Sequence, residues 1–250
     1  MTSNNSCNPK NSLVLFGLNN NFLFLKKLFD EKKFPNVCML SGKKGIGKFT
    51  LINHFLNYVF ENNRYDLQKM TIDKSTDFYK MFINDNHQNI IHLKGENFKN
   101  IKIDDIRNLK SVIQKTNICD NERFIILDDI ELFNTQSLNA LLKIIEEPTT
   151  KNYFILINNK TKPLIETIKS RSLEIKVIIS NNERIEIIES IINKNKLDVL
   201  IDYKSVDLTP GNFLLFNNIC ETLKIDINDD LVQNINQILN TYKKNKTIDL

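Results

Sequence analysis

Short apolar runs alternate with amphipathic segments along most of this chain. The runs lie at residues 37–40, 90–93, 124–127, 153–157 and 173–179 and are rich in β-branched and aromatic side chains, which is typical of buried strands. Between them, apolar residues recur at helical spacing, most clearly within 22–29, 51–60, 103–113 and 138–145. Strands that alternate with helices predict an α/β fold with a parallel sheet.

The stretch from Arg123 to Ser172 organises the rest of the chain. Its first strand ends on Asp128 and Asp129, and parallel sheets place ligands at the carboxyl ends of their strands. A helical segment follows and is stopped by Pro148 before the next strand begins. Strand, helix and strand at this spacing predict one right-handed βαβ crossover.

A glycine-rich turn follows the strand at 37–40. It contains Gly42, Gly45, Ile46, Gly47 and Lys48 and leads directly into a helix. This is the context of a phosphate loop, in which glycines let backbone amides face an anion and the lysine reaches the outer phosphates. The alternative is a glycine-rich turn that binds nothing, and the flanking strand and helix favour the phosphate loop.

The loop departs from the full phosphate-loop pattern at Phe49. A serine or threonine at this position normally supplies a hydroxyl to magnesium, and phenylalanine has none. Thr50 lies one residue further on, so its side chain points about 100° away around the helix. We therefore expect magnesium to bind weakly or not at all.

The remaining segments predict the domain organisation. Residues 61–89 are polar and irregular and predict a surface excursion, while 180–183 (Ser-Asn-Asn-Glu) have the spacing of a capping box that opens a new helix. Another helix is expected after the turn at 209–213, and a last one over 228–245. We expect a nucleotide-binding domain over 1–179, a helical lid over 180–215 and a short helical tail over 216–250.

Composition and charge narrow the class of protein. Of the 250 residues, 41% are hydrophobic and 26% are charged, as in ordinary globular proteins. The 34 basic residues are nearly balanced by 30 acidic ones and form no basic stripe with interleaved aromatics, which disfavours a free-standing DNA-binding module. Neither a signal peptide nor an apolar run of membrane-spanning length is present, so we expect a cytoplasmic protein without a membrane partner.

The cysteines and histidines suggest neither a metal site nor a histidine-based mechanism. Four cysteines are scattered along the chain, at 7, 38, 119 and 220, so zinc and disulfides are not expected. Cys38 is interpreted as a small buried hydrophobe. His92 lies on a strand and is expected to be half-buried rather than catalytic.

The residues from Phe124 to Pro148 (FIILDDIELFNTQSLNALLKIIEEP), with YFILINN and TIKSRS after them, resemble the clamp-loader branch of the AAA+ proteins. Segments 15–50 and 101–110 resemble, in the same register, the delta-prime subunits of bacterial DNA polymerase III. The resemblance implies an AAA+ parallel-sheet domain, a helical lid and a helical collar, here abbreviated to a short tail. It covers roughly residues 14–215.

The resemblance assigns roles to the candidate site residues. The nucleotide loop corresponds to Gly42, Gly45, Ile46, Gly47, Lys48, Phe49 and Thr50. Asp128 corresponds to the metal-associated carboxylate, and Asp129 stands at the position of the water-orienting glutamate. The first sensor corresponds to Asn158 or Asn159, of which we take Asn158. Arg171, in Ser-Arg-Ser, corresponds to an arginine finger that acts in trans. On composition alone, Arg171 would be an ordinary surface charge before a strand.

At three positions this sequence lacks a residue that active ATPases of the group use for ATP hydrolysis. They are Phe49, Asp129 and Asn212, the last lying where motor subunits carry a second-sensor arginine. The cysteine zinc module of motor subunits is also missing from residues 61–90. The resemblance therefore implies a non-hydrolysing arm with ATP or ADP at a degenerate loop, little or no magnesium and no zinc.

The implied partners are those of a clamp loader. They are the motor and delta-like subunits of a hetero-pentamer and, through that complex, the sliding clamp and primer–template DNA. The chain would thus be a component of a DNA polymerase holoenzyme. The alternative is an ATP-hydrolysing AAA+ motor subunit of a clamp loader or a related DNA-replication or repair ATPase, which the intact Lys48 and Asp128 keep open.

Overall fold

The computed structural model describes residues 8–95, 103–113, 122–147 and 151–225. They fall into two compact units, one over residues 9–179 and a second that comprises Asn8 and the described residues from Ser180 onwards. Several sequence predictions concern residues outside these ranges, namely the helix over 228–245, Cys7, Cys119 and Pro148.

A five-stranded parallel sheet forms the centre of the first unit. The strands are β1 (Val37–Ser41), β2 (Ile90–Lys94), β3 (Arg123–Asp128), β4 (Asn152–Asn158) and β5 (Leu173–Lys176). Their spatial order is β2-β3-β4-β1-β5, and every neighbouring pair is parallel. The carboxyl ends of all five strands therefore lie at one edge of the sheet, which confirms the predicted α/β class.

Helices cover both faces of the sheet. In the first unit they are α1 (Asn19–Asp30), α2 (Lys48–Phe60), α3 (Asp77–Ile83), α4 (Ile103–Ile113), α5 (Thr135–Ile145) and α6 (Glu166–Lys169). Because successive strand side chains point to opposite faces, Phe124 and Ile126 pack in one core with α1, α2 and α3, while Ile125 and Leu127 pack in a second core with α4, α5 and α6. The prediction that β3 is buried on both faces is confirmed.

Local capping interactions fix where two of the helices begin. At the start of α5, the side chain of Asn134 accepts a hydrogen bond from the amide of Ser137 at 2.8 Å. In the second unit, α7 (Asn181–Asn195) opens with the predicted capping box, in which Ser180 and Glu183 satisfy each other's backbone amides.

The prediction of a surface excursion over 61–89 is wrong. This segment contains α3, capped by Thr76, and it buries several aromatic and aliphatic side chains in the first core. Among them, Phe78 stacks on Phe60 with ring centroids 4.8 Å apart. The apolar residues of this segment come partly from loops and have no regular spacing, so a search for periodicity does not detect them.

The last strand is shorter than predicted. β5 ends at Lys176 rather than at 179. Val177 nevertheless belongs to the first core, and its amide donates to the carbonyl of Ser41 at 2.8 Å. The chain therefore stays beside β1 at the level of the glycine-rich turn.

The second unit contains α7 and α8 (Pro210–Leu223), joined by residues 196–209. The guanidinium of Arg184 is buried on α7 and donates to three carbonyls of this connection, those of Tyr203, Val206 and Leu208. Helix α8 runs without a break across residue 215, where the division between lid and tail is predicted. None of the helices within the described ranges is long and apolar enough to cross a membrane.

Candidate phosphate-loop site and Arg171

The glycine-rich turn connects β1 to α2 at the carboxyl edge of the sheet. At Gly42, a Cβ atom would lie 2.3 Å from the carbonyl oxygen of Val177, so no larger residue fits without a backbone shift. Gly47 has a φ of 100°, a left-handed backbone conformation that residues other than glycine rarely adopt. The turn leads into the amino terminus of α2, whose first amides have no partner within the helix. These features fit a phosphate group.

The Lys48 side chain is buried beneath this turn. Its Nζ atom donates to the carbonyl oxygens of Gly42 at 2.7 Å and Lys43 at 2.8 Å. Burial lowers the pKa of the lysine to about 8, and the nearby carboxylates of Asp128, Glu131 and Asp129 oppose this effect. Lys48 therefore holds the turn from below and lies near the acidic groups at and just after the end of β3.

The Phe49 side chain is part of an aromatic cluster. Its ring lies 4.8 Å from the ring of His92 on β2 and stacks on Phe82 of α3 at 6.4 Å. Position 49 thus contributes packing and no oxygen, while Thr50 is partly buried on the next position of α2. The residues present do not fit the usual magnesium site of a phosphate loop.

His92 is half-buried, as predicted, and burial lowers its pKa to about 4. Cys38 lies in the first core, as its interpretation as a small hydrophobe requires. Across the described ranges, no group of three or more His, Cys, Asp or Glu side chains is placed to hold a metal ion.

The two aspartates lie where β3 ends, as predicted. Asp128 is partly exposed, and its pKa is raised to about 6, first by burial and then by the charge of Asp129. One carboxylate oxygen of Asp128 accepts a hydrogen bond from the Asp129 amide at 2.9 Å. Asp129 is buried, has a positive φ of 53°, and accepts a hydrogen bond from the Asn159 side chain at 2.5 Å.

The structure distinguishes the two candidate sensor asparagines. The Asn158 side-chain oxygen accepts a hydrogen bond from the Lys160 amide at 2.9 Å, and the backbone carbonyl of Asn158 accepts one from the Gly42 amide at 3.1 Å. Asn159, not Asn158, directs its side chain to Asp129. The geometry thus brings Asn159 to the acidic groups, whereas Asn158 stabilises the turn after β4.

Sequence reasoning missed Glu131. Its buried carboxylate accepts hydrogen bonds from the Asn159 amide at 3.1 Å and from the Thr161 hydroxyl at 2.8 Å. It holds the loop that carries Asn159 and contributes negative charge near Lys48. The signal in the sequence is only a glutamate between two apolar residues shortly after a strand.

Arg171 follows α6, and its side chain contacts residues at the ends of α5 and α6. Its Nη2 atom pairs with Oε1 of Glu146 at 2.8 Å, and Nη1 donates to the Thr167 carbonyl at 3.2 Å and the Ser170 hydroxyl at 3.4 Å. The side chain retains 39% of its accessible surface. Its partners belong to α6 and to the end of α5, and its side chain remains partly open to solvent.

A sequence model of the family described as DNA polymerase III, delta subunit, matches residues 18–180. The chain belongs to this family. The resemblance inferred from the motifs is thereby confirmed, and the order of the parallel sheet agrees with the predicted α/β nucleotide-binding fold.

Two curated relatives and one solved structure illustrate the similarity. The chain is 25% identical to DNA polymerase III subunit delta' of Buchnera aphidicola subsp. Schizaphis graminum over 205 residues, which is 78% of this chain and 58% of the relative. It is 28% identical to the gamma subunit of the same organism over 160 residues, 63% of this chain and 42% of the relative. The solved structure of a DNA polymerase III gamma-subunit-related protein of Thermotoga maritima matches with a TM-score of 0.46 and 16% identity. The match covers 87% of this chain and 78% of the Thermotoga maritima chain.

The chain is shorter than these curated relatives. It spans 58% of the length of the delta' relative and 42% of the gamma relative. Family membership therefore rests on residues 18–180, which contain the parallel sheet, the glycine-rich turn and Arg171.

Proposed function

We propose that this chain is a delta-prime-like subunit of a DNA polymerase III clamp loader. It supports ATP-dependent loading of the sliding clamp onto primed DNA, donates Arg171 to the ATP site of a neighbouring subunit and does not hydrolyse ATP itself. The supporting observation is the contrast between the two regions of the site. Phe49 is held in aromatic packing where a magnesium ligand is needed, whereas the Arg171 side chain is exposed.

The chain's own loop retains the features that hold a phosphate. Gly42 lets the loop backbone approach the Val177 carbonyl closely, and Gly47 adopts a left-handed conformation. Lys48 lies beneath the loop and donates to the Gly42 carbonyl. ATP or ADP would bind there through the loop amides and Lys48, and we assign Asn159, beside Asp129, to the sensor position. Magnesium would bind weakly or not at all, because Phe49 supplies no oxygen. The absence of zinc remains part of this proposal.

Arg171 is suited to act on another subunit's nucleotide. An arginine stays protonated throughout the physiological pH range and presents several N–H donors to phosphate oxygens. A finger of this kind stabilises the charge that develops in phosphoryl transfer and is worth about 10³–10⁵ in rate in other nucleotide hydrolases. This role requires motor and delta-like partners in a hetero-pentamer, through which the sliding clamp and primer–template DNA are reached.

The alternative is an ATP-hydrolysing motor subunit. The observation in its favour is that Lys48 and Asp128 lie close enough for each charge to shift the pKa of the other group, with the Asp129 carboxylate as a further negative charge nearby. A gamma subunit is also among the relatives. Against it stands the packed ring at position 49.

The test is DNA-stimulated ATP hydrolysis by a loader reconstituted with the full chain. We expect Arg171→Ala to reduce the rate strongly and Lys48→Ala to change it little, while the isolated chain hydrolyses no ATP. Arg64→Ala serves as the control, because Arg64 is also exposed and ion-paired, with Asp73 at 2.7 Å. Equal losses from Arg171→Ala and Lys48→Ala, or clear hydrolysis by the isolated chain, would overturn the proposal in favour of a motor.

A further inference from the structure

The ion pair between Arg171 and Glu146 indicates how the proposed finger is held. We propose that Glu146 is a positioning residue: its carboxylate orients the Arg171 guanidinium at the surface, ready to meet a phosphate of the neighbouring subunit. This inference rests on the proposed function of Arg171, since it concerns how that side chain is presented.

The guanidinium is held from two sides and is still accessible. Glu146, at the end of α5, accepts from Nη2 at 2.8 Å, and the Thr167 carbonyl of α6 accepts from Nη1 at 3.2 Å. The two side chains of the ion pair remain 39% and 46% exposed. Arginine has five N–H donors, and these contacts use only part of them. An incoming phosphate can therefore bind without displacing Glu146.

Helix stability does not account for a carboxylate at this position. Glu146 is the C-cap of α5, and Glu147 follows it. The carboxyl terminus of a helix carries partial negative charge, so acidic side chains there are unfavourable. Glu146 is compensated by Arg171 at the end of another helix. The pair thus links the end of α5 to the segment that carries the finger.

Positioning of this kind acts on the transition state. A long arginine side chain loses rotamer freedom when it binds, and part of that loss has already occurred when Glu146 holds it. Because the finger's contact strengthens as charge develops, its orientation changes kcat more than KM for ATP. An exposed ion pair is weak, so the expected effect is about two- to fivefold.

The experiment uses the reconstituted loader with the full chain, saturated with clamp and primed DNA. We expect Glu146→Gln to lower kcat for ATP hydrolysis about two- to fivefold with KM unchanged. Glu147→Gln is the matched control, the adjacent glutamate at the same helix end, and is expected to behave as wild type. Glu146→Asp, which keeps the charge, is expected to retain more activity than Glu146→Gln.

A double-mutant cycle separates positioning from a structural effect. In an Arg171→Ala background, Glu146→Gln is expected to cause no further loss, because the residue it orients is gone. An equal loss in both backgrounds, a wild-type rate for Glu146→Gln, or a higher rate, which would indicate a restraining contact, overturns the inference. If Arg171→Ala is itself without effect, the proposed function fails; if only Glu146→Gln is without effect, only this inference fails.

Discussion

Replacing Asp128 with asparagine removes a negative charge from the carboxyl end of β3 with little change in shape. The asparagine oxygen can still accept the hydrogen bond from the Asp129 amide, which is 2.9 Å long in the wild type. The substitution therefore tests the cost of the charge itself. We expect Asp128→Asn to stabilise the protein at neutral pH.

The pKa of Asp128 sets the magnitude and the sign. Burial, with the charge of Asp129 as a smaller cause, raises this pKa from 3.8 to about 6. The folded state therefore binds the proton more tightly than the unfolded state, so the free energy of unfolding falls as the pH rises from about 4 to about 6. At about 1.4 kcal/mol per tenfold change in the equilibrium, the full shift corresponds to about 3 kcal/mol. Because Asp128 is partly exposed, we expect about 1–2 kcal/mol.

The attraction between Lys48 and Asp128 is already contained in this shift, because Lys48 is among the groups that lower the pKa of Asp128. Burial and the Asp129 charge outweigh that attraction. The ionised carboxylate is therefore unfavourable in the fold even with a lysine nearby.

The assay is urea unfolding of the wild type and Asp128→Asn at a series of pH values from 4 to 7.5. Near pH 4 the two proteins should have similar free energies of unfolding, since Asp128 is then protonated in the folded wild type. Above pH 6 the variant should be more stable by about 1–2 kcal/mol. A difference that does not depend on pH, or a wild type that is more stable at pH 7, would refute the reasoning.

Two further predictions concern the glycine-rich turn. Burial lowers the pKa of Lys48 from 10.5 to about 8, so between pH 8 and 10.5 the unfolded state binds more protons than the folded state. The free energy of unfolding should therefore rise with pH over this range. In urea unfolding at pH 8 to 10.5, Lys48→Met should reduce that rise. Gly42→Ala should lower the free energy of unfolding by about 1–3 kcal/mol, because its Cβ would lie 2.3 Å from the Val177 carbonyl. An unchanged urea midpoint for Gly42→Ala would contradict this close approach.

The elements that the sequence predicted well are those fixed by local patterns. The strand at Phe124–Leu127 has an unbroken apolar run because both of its faces are buried, and the glycines of the loop mark close or left-handed backbone. The capping box at Ser180 and Glu183 involves residues only three apart, so its spacing alone predicts the helix start. In each case the signal and the structure lie within a few residues of each other.

Features that depend on distant contacts could not be predicted in this way. Glu131 binds amide and hydroxyl groups 28 and 30 residues away, and no local pattern connects them. Whether Asn158 or Asn159 faces Asp129 depends on the turn after β4, in which Lys160 has a φ of 56°. The pairing of Arg171 with Glu146 likewise arises only when α5 and α6 come together.

The aromatic packing of Phe49 has a consequence for the history of the loop. A change to serine would restore a hydroxyl but remove a ring that contacts both Phe82 and His92. We expect that single step to leave a poorly filled space between α3 and β2. Recovery of a magnesium ligand at position 49 would thus require compensating changes in α3 or β2 at the same time. A single substitution back to serine would therefore be opposed by the loss of packing.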